Sequence, residues 1–127
     1  MARSRTRVFF DGGCRPNPGR IEVAVVVAGV THLFDDLGHG TNTDAEWMAL
    51  IRAAELARSL GLRDVELVGD ALGIIREANS ILREGHARPG HSSSFLGATL
   101  RAPPARVRWV RRAQNLAGIA LAARHPR

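Results

Sequence analysis

The chain has one cysteine, no lysine, no tyrosine, four phenylalanines and two tryptophans among its 127 residues. A single cysteine excludes an internal disulfide framework and any zinc site built on several thiolates. No run of about 18 apolar residues exists, which excludes a membrane-spanning helix. The basic opening MARSRTR is followed only by VFF before Asp11, too short for the apolar region of a secretory signal. These absences predict a cytoplasmic protein without a membrane partner. Acids are also scarce in one half. From residue 71 onward only Glu77 and Glu84 are acidic against 10 arginines, net +8, whereas residues 1–70 carry 8 arginines and 10 acids, net −2. A polyanion laid against the second half, with acids gathered in the first, fits that split; a solvated basic surface is the plain alternative.

The length and the 45% hydrophobic content predict one domain over residues 1–127 with a real core. RVFFD reads as a short strand ended by turn chemistry, and IEVAVVVAGVTHLFDDLG as two more strands with a bend near Gly29. TNTDAEWMALIRAAELARSLG switches to helical spacing, with Trp47, Leu50, Ile51, Ala54, Ala57 and Leu60 on one stripe and Gly61 as the stop. VELVGD is a buried strand, ALGIIREANSILREG a second helix, ARPGHSSS a loop with a candidate helix cap among its serines and FLGATLRAP a weak third helix stopped by Pro103 and Pro104. RVRWVRR is a last strand and NLAGIALAAR a closing helix. This order predicts an α/β fold, a mixed sheet with helices packed on it.

Three acids occupy positions with chemical promise. Asp11 and Asp70 each follow an apolar strand, and in open α/β sheets ligands collect at the carboxyl ends of strands. Each acid also has an ordinary explanation. Asp11-Gly12 is a turn dipeptide, Asp70 suits the N-cap of the second helix, and Thr43 to Glu46 spells a capping box. One metal site would account for all three together. Mg²⁺ prefers carboxylate oxygens supplemented by water and substrate phosphate. Two such ions about 3.5–4 Å apart can activate water and stabilise the leaving oxygen of a phosphodiester.

DGGCRPNPG at 11–19, TNTDAEWMAL at 41–50, VELVGD at 65–70 and NLAGIALA at 115–122 resemble, in order and spacing, the four signature blocks of the ribonuclease H family. The resemblance covers nearly the whole chain. It implies a ribonuclease H-like fold with a five-stranded mixed sheet in the order 3-2-1-4-5 flanked by helices. It also implies Mg²⁺-dependent cleavage, with Mn²⁺ as a substitute, of the RNA strand of an RNA–DNA hybrid. Asp11, Glu46 and Asp70 match metal-binding acids of the family. Gly12 and Gly13 would let the backbone approach the hybrid, Cys14 and Asn17 match loop residues along its minor groove, and Asn42 matches an asparagine that meets the RNA strand. Thr41 matches a position that helps hold a DNA phosphate. A wide, shallow minor groove carrying 2′-hydroxyls suits short polar groups and close-approaching glycines.

The chain departs from the family pattern at two places. Gly118 stands where the family usually has a fourth metal-facing aspartate, with Glu77 as a conceivable substitute. REGHARPG is too short for the basic helical handle of some bacterial members, which leaves hybrid affinity to the arginines of RVRWVRR. Trp47 and Trp109 read as core residues, and His86 and His91 as solvent-exposed loop histidines, although the resemblance implies that a mobile histidine near the last strand assists product departure and either one could reach that region. Two readings therefore compete: a compact endoribonuclease, and a catalytically weakened or inactive module that binds nucleic acid on the same fold. A protein-binding scaffold is a third. The chain is expected to act as a monomer or weak oligomer.

Overall fold

The structure, a computed structural model, describes residues 5–125. Strands β1 (Thr6–Cys14), β2 (Gly19–Val27) and β3 (Val30–Phe34) form the antiparallel meander that the sequence predicts. A two-residue strand β4 (His39–Gly40) pairs with the start of β2. Helix α1 (Asn42–Ser59) carries the chain to β5 (Val65–Gly69), parallel to β1, and helices α2 (Leu72–Glu84) and α3 (His91–Thr99) lead to β6 (Arg106–Trp109), parallel to β5. A 3₁₀ turn at Arg112–Gln114 precedes α4 (Leu116–Ala123). The sheet order is β3-β2-β1-β5-β6, with β4 off this path. Setting the two-residue β4 aside, the five long strands follow the expected 3-2-1-4-5 arrangement.

The central strand β1 separates two layers. On one face Val8, Phe10, Leu67 and Val107 meet Trp47, Leu50, Ala53 and Ala57 of α1, Ile75 and Ala78 of α2, and Phe95 of α3. On the other face Ala24 and Val26 receive Ala117 and Leu121 of α4, so α4 covers the β1–β2 side of the sheet. Two glycines allow the close approaches that fix this packing. A Cβ on Gly69 would fall 2.5 Å from the Phe10 ring, and one on Gly12 would fall 2.2 Å from the Ala45 carbonyl oxygen. Helix α1 therefore lies directly against β1.

Several local expectations change. The loop assigned to ARPGHSSS is already helical from His91, because the Ser93 and Ser94 hydroxyls donate to the Gly90 carbonyl at 2.9 and 3.2 Å and stabilise the first turn. The stripe on α1 buries Trp47, Leu50, Ala54 and Ala57 as expected, but Leu60, at the C-cap, is 50% exposed. Trp109 is 45% exposed, not core, because it ends the edge strand β6, where only β5 flanks it. Trp47, at 6%, is core.

Candidate active site

None of the three ordinary explanations for the acids survives. Asp11 does not sit in a turn. Strand β1 runs on to Cys14, and Asp11 pairs with Ala24 inside the ladder, so the chain reverses only at residues 15–18. Asp70 does not cap α2, whose N-cap is Ala71 without a side-chain bond; it accepts instead from Asn115 Nδ2 at 2.9 Å. Glu46 is free of a capping box as well. The box on α1 is built from Thr41 and Asp44: Thr41 Oγ1 accepts from the Asp44 amide at 3.1 Å, and Asp44 Oδ2 accepts from the Thr41 amide at 2.9 Å.

Released from those duties, the three carboxylates line one cavity of about 350 Å³ together with Gly12, Gly13, Cys14 and Asn42. Each arrives from a different element. Asp11 projects from the rigid middle strand, Asp70 from the residue after β5, and Glu46 from α1, next to the Ala45 carbonyl that meets Gly12. Asn115 ties them to α4. It is fully buried, donates to the Phe10 carbonyl at 3.0 Å and to Asp70, and accepts from the Ala117 amide at 3.1 Å as the N-cap of α4. Gly118 follows one turn later, where an added Cβ would lie 3.5 Å from Asp11 Oδ2.

The electrostatics follow from that crowding. Burial, then the charges of Asp70 and Glu46, push Asp11 up from 3.8 to about 7, against the opposing pull of Arg112 and the Gly12 amide. Burial and Asp70 likewise raise Glu46, again offset by Arg112. Anionic groups forced together in a partly dry cavity favour a proton or a cation between them. Among the described residues, however, no three His, Cys, Asp or Glu side chains are gathered into a ready-made group for a metal ion. Mg²⁺ sites seldom need one, since one or two carboxylates, water and substrate phosphate commonly complete the shell. The all-oxygen donor set suits that kind of ion.

The remaining candidates divide. Asn42 Oδ1 accepts from the Cys14 amide at 2.9 Å, and the Asn42 amide donates to Asn17 Oδ1 at 3.0 Å, so Cys14, Asn17 and Asn42 form one connected patch beside the acids. The Cys14 thiol itself is buried and donates to the Gly40 carbonyl, which leaves it structural. Thr41 lies outside the cavity lining, with its amide and hydroxyl engaged by Asp44. Glu77, the conceivable fourth acid, is exposed, accepts from the Ser92 hydroxyl and does not line the cavity. His91 is not a loop residue near the last strand. It stacks on Trp47 at 6.4 Å and lies 2.9 Å from Asp44 Oδ1. His86 is exposed, beside Glu84.

Four residues of the site, Arg15, Glu22, Arg112 and Asn115, escaped the sequence reading as site residues. Arg112 lies beyond β6, at the third carboxyl end to reach the cavity, and the rule that pointed to Asp11 and Asp70 applies to it equally. Glu22 also lines the cavity, its carboxylate held by Arg124 at 3.4 Å and His125 at 2.6 Å. Asn115 gave only the signal of a helix cap.

Comparison with known proteins identifies relatives of the chain. The reverse transcriptase-like family profile matches residues 10–125. Ribonuclease HI of Halobacterium salinarum is 43% identical over 72 residues, which is 53% of this chain and 36% of that protein; the chain thus matches about a third of the curated relative's length. The crystal structure of ribonuclease H1 from the same archaeon superposes with a TM-score of 0.73 at 26% identity, covering 93% of this chain and 94% of that one. LC11 ribonuclease H1, from compost and crystallised with an RNA/DNA hybrid, gives a TM-score of 0.69 at 24% identity over 88% of this chain and 89% of its own. The chain belongs to the reverse transcriptase-like family of ribonuclease H-type proteins.

Proposed function

We propose that this chain is a metal-dependent endoribonuclease that cleaves the RNA strand of RNA–DNA hybrids, acting as one domain over residues 1–127. The observation that carries the reading is the shared cavity of Asp11, Glu46 and Asp70, three acids far apart in sequence and without structural employment as turn or cap. The raised Asp11 carboxyl supports it further, because such a group gains most from a cation. Mg²⁺, or Mn²⁺ in its place, would be held among Asp11, Glu46 and Asp70, with one or two of them binding it directly and water and substrate phosphate completing the shell. When bound, the ion supplies Lewis-acid stabilisation of a phosphodiester and lowers the pKa of water.

The chain's own residues do the rest. Asp11 is fixed by the β1–β2 ladder, Asp70 by Asn115, and Glu46 by the contact of α1 with β1, so the acceptor oxygens are positioned before substrate arrives. The patch of Gly12, Gly13, Asn17 and Asn42 beside the acids suits close approach of a minor groove displaying 2′-hydroxyls, with Cys14 holding the patch from below. Thr41, at the entry to α1, serves a flanking DNA phosphate only if Asp44 releases it. The free edge of β6 is occupied by Asn79, whose amide exchanges both hydrogen bonds with Val107 at 2.7 and 3.0 Å, which favours a monomer over edge-to-edge pairing.

Incubation of the purified chain with a hybrid labelled on the RNA strand, with Mg²⁺ or Mn²⁺ and an Asp11→Asn control, tests the reading. Cleavage confined to the unmodified chain supports it. Hybrid binding without cleavage in either metal would replace it with the binding-module reading, for which Gly118 beside Asp11 is the structural argument.

A further inference from the structure

On the outer side of the sheet's β6 edge, α2 and β6 enclose a groove of about 760 Å³ that none of the site chemistry uses. Four arginines line it, Arg76 and Arg83 from α2 and Arg106 and Arg108 from β6, and no lining residue is acidic. Arg106 and Arg108 share Glu66, at 2.5 and 3.4 Å. Among the described residues Arg76 and Arg83 have no carboxylate within 4.0 Å, so the α2 wall carries uncompensated positive charge. At the end nearest the acid cavity stands Trp109, 45% exposed beside Leu72, 42% exposed. The indole is not loose. Its Nε1–H donates to the Asp70 carbonyl at 3.2 Å, which pins the ring next to one of the three cavity acids.

We propose that this groove binds a single-stranded nucleic-acid tail continuous with the duplex held at the acids, an inference that rests on the hybrid reading above. Charge alone would suit an acidic peptide equally. The fixed indole decides between them, because an aromatic face held in a basic groove is the arrangement on which bases stack while guanidinium groups follow the backbone. Continuity decides it further: a strand that leaves the cavity past Asp70 meets Trp109 first and the arginines of α2 next. The indole reads no base edge, so the groove is sequence-tolerant.

Binding is measured in EDTA, which separates it from cleavage. Oligothymidylate should quench the fluorescence of Trp109, while Trp47, buried, contributes a constant background; Trp109→Phe should lose most of the quench. A hybrid bearing a single-stranded tail should bind about tenfold more tightly than the same hybrid with blunt ends, and Trp109→Ala should remove that advantage. In Arg76→Gln/Arg83→Gln, where both changes are on an exposed helix face, the slope of log affinity for oligothymidylate against log salt should fall by about 0.7 for each phosphate that the missing guanidinium groups no longer neutralise. Equal affinity for tailed and blunt hybrids, or an unchanged salt slope in the double variant, would overturn the proposal. So would quenching by polyglutamate and not by oligothymidylate, which would assign the groove to an acidic peptide. A chain that cuts blunt hybrid yet shows no tail advantage refutes the groove alone, whereas a tail advantage without cleavage refutes the proposed activity and leaves the groove standing.

Discussion

Replacing Asp11 by asparagine should stabilise the metal-free protein at neutral pH while abolishing cleavage. The reasoning starts from a folded-state carboxyl raised from 3.8 to about 7 by burial, Asp70 and Glu46. A raised acid binds its proton more tightly folded than unfolded. Its contribution is fully present below about pH 4, declines as pH rises from about 4 to about 7, and is gone above that. At about 1.4 kcal/mol per pH unit, the wild-type chain forfeits on the order of 2–4 kcal/mol across this window through Asp11 alone. Asparagine keeps the shape and never ionises, so groups remote from the cavity contribute alike to both proteins and the difference reports Asp11 together with its coupling to Asp70 and Glu46. Urea unfolding in EDTA should show equal stabilities near pH 4 and a gap in favour of Asp11→Asn that opens to a few kcal/mol by pH 8. Added Mn²⁺ at pH 8 should close the gap by stabilising the wild type, by about 2.7 kcal/mol at one hundred times the dissociation constant. Parallel stability profiles, or a variant less stable than wild type at pH 8, would refute the crowding of charge on which the active-site proposal depends.

Other perturbations probe the supports of the site. Gly118→Asp places a carboxylate beside Asp11 Oδ2, 3.5 Å from the new Cβ, so it should lower the melting temperature in EDTA and raise the metal concentration response; calorimetric titration with Mn²⁺ should show tighter binding, and no gain would mean that position 118 does not face the ion. Asn115→Ala strands the Asp70 and Phe10 acceptors and removes the α4 cap, and should cost about 2–4 kcal/mol in urea unfolding; a loss under about 1 kcal/mol would deny it that role. Gly12→Ala drives a methyl to within 2.2 Å of the Ala45 carbonyl oxygen, so α1 must shift, at about 1–3 kcal/mol, and hybrid cleavage should fall more than stability does because Glu46 moves with the helix.

Sequence periodicity and turn chemistry sufficed for the β1–β3 meander and both long helices, since each segment's local preference agrees with its place in the fold; the order of the strands in the sheet came from the family resemblance. The acids were legible for a related reason: Asp70 directly follows the apolar strand β5, Asp11 follows the apolar VFF run within β1, and Glu46 lies near the start of α1. The rest depended on contacts between distant segments. Thr41-x-x-Asp44 and Thr43-x-x-Glu46 are both acceptable capping boxes locally. Tertiary structure selects the first, because Asn42 must begin the helix to meet Cys14 and Asn17, and Asp44 must reach the His91 ring. Trp109 is apolar enough for a core, yet its exposure is set by which strand lies at the sheet edge, which the residues of β6 do not encode. Asn115 reads as an ordinary helix cap, and its bonds to Phe10 and Asp70 span 105 and 45 residues.

The uneven charge of the chain gains a meaning from these positions that its composition lacks. Arg112 is the one arginine of the basic second half that both lines the acid cavity and opposes the upward shifts of Asp11 and Glu46. Glu22 sits in the same lining with its carboxylate paired to Arg124 and in contact with the His125 ring. With Gly118 in place of an acid, Asp11, Glu46 and Asp70 share the cavity lining with Arg15 and Arg112, and Arg112 partly compensates their charge. That compensation should weaken the pull on a second metal ion, because its attraction scales with the uncompensated negative charge around it. Arg112→Gln consequently separates two effects that Gly118→Asp combines: it strengthens the negative field without adding a ligand. If charge limits metal binding, Arg112→Gln should tighten Mn²⁺ binding as Gly118→Asp does; if the missing ligand limits it, only Gly118→Asp should.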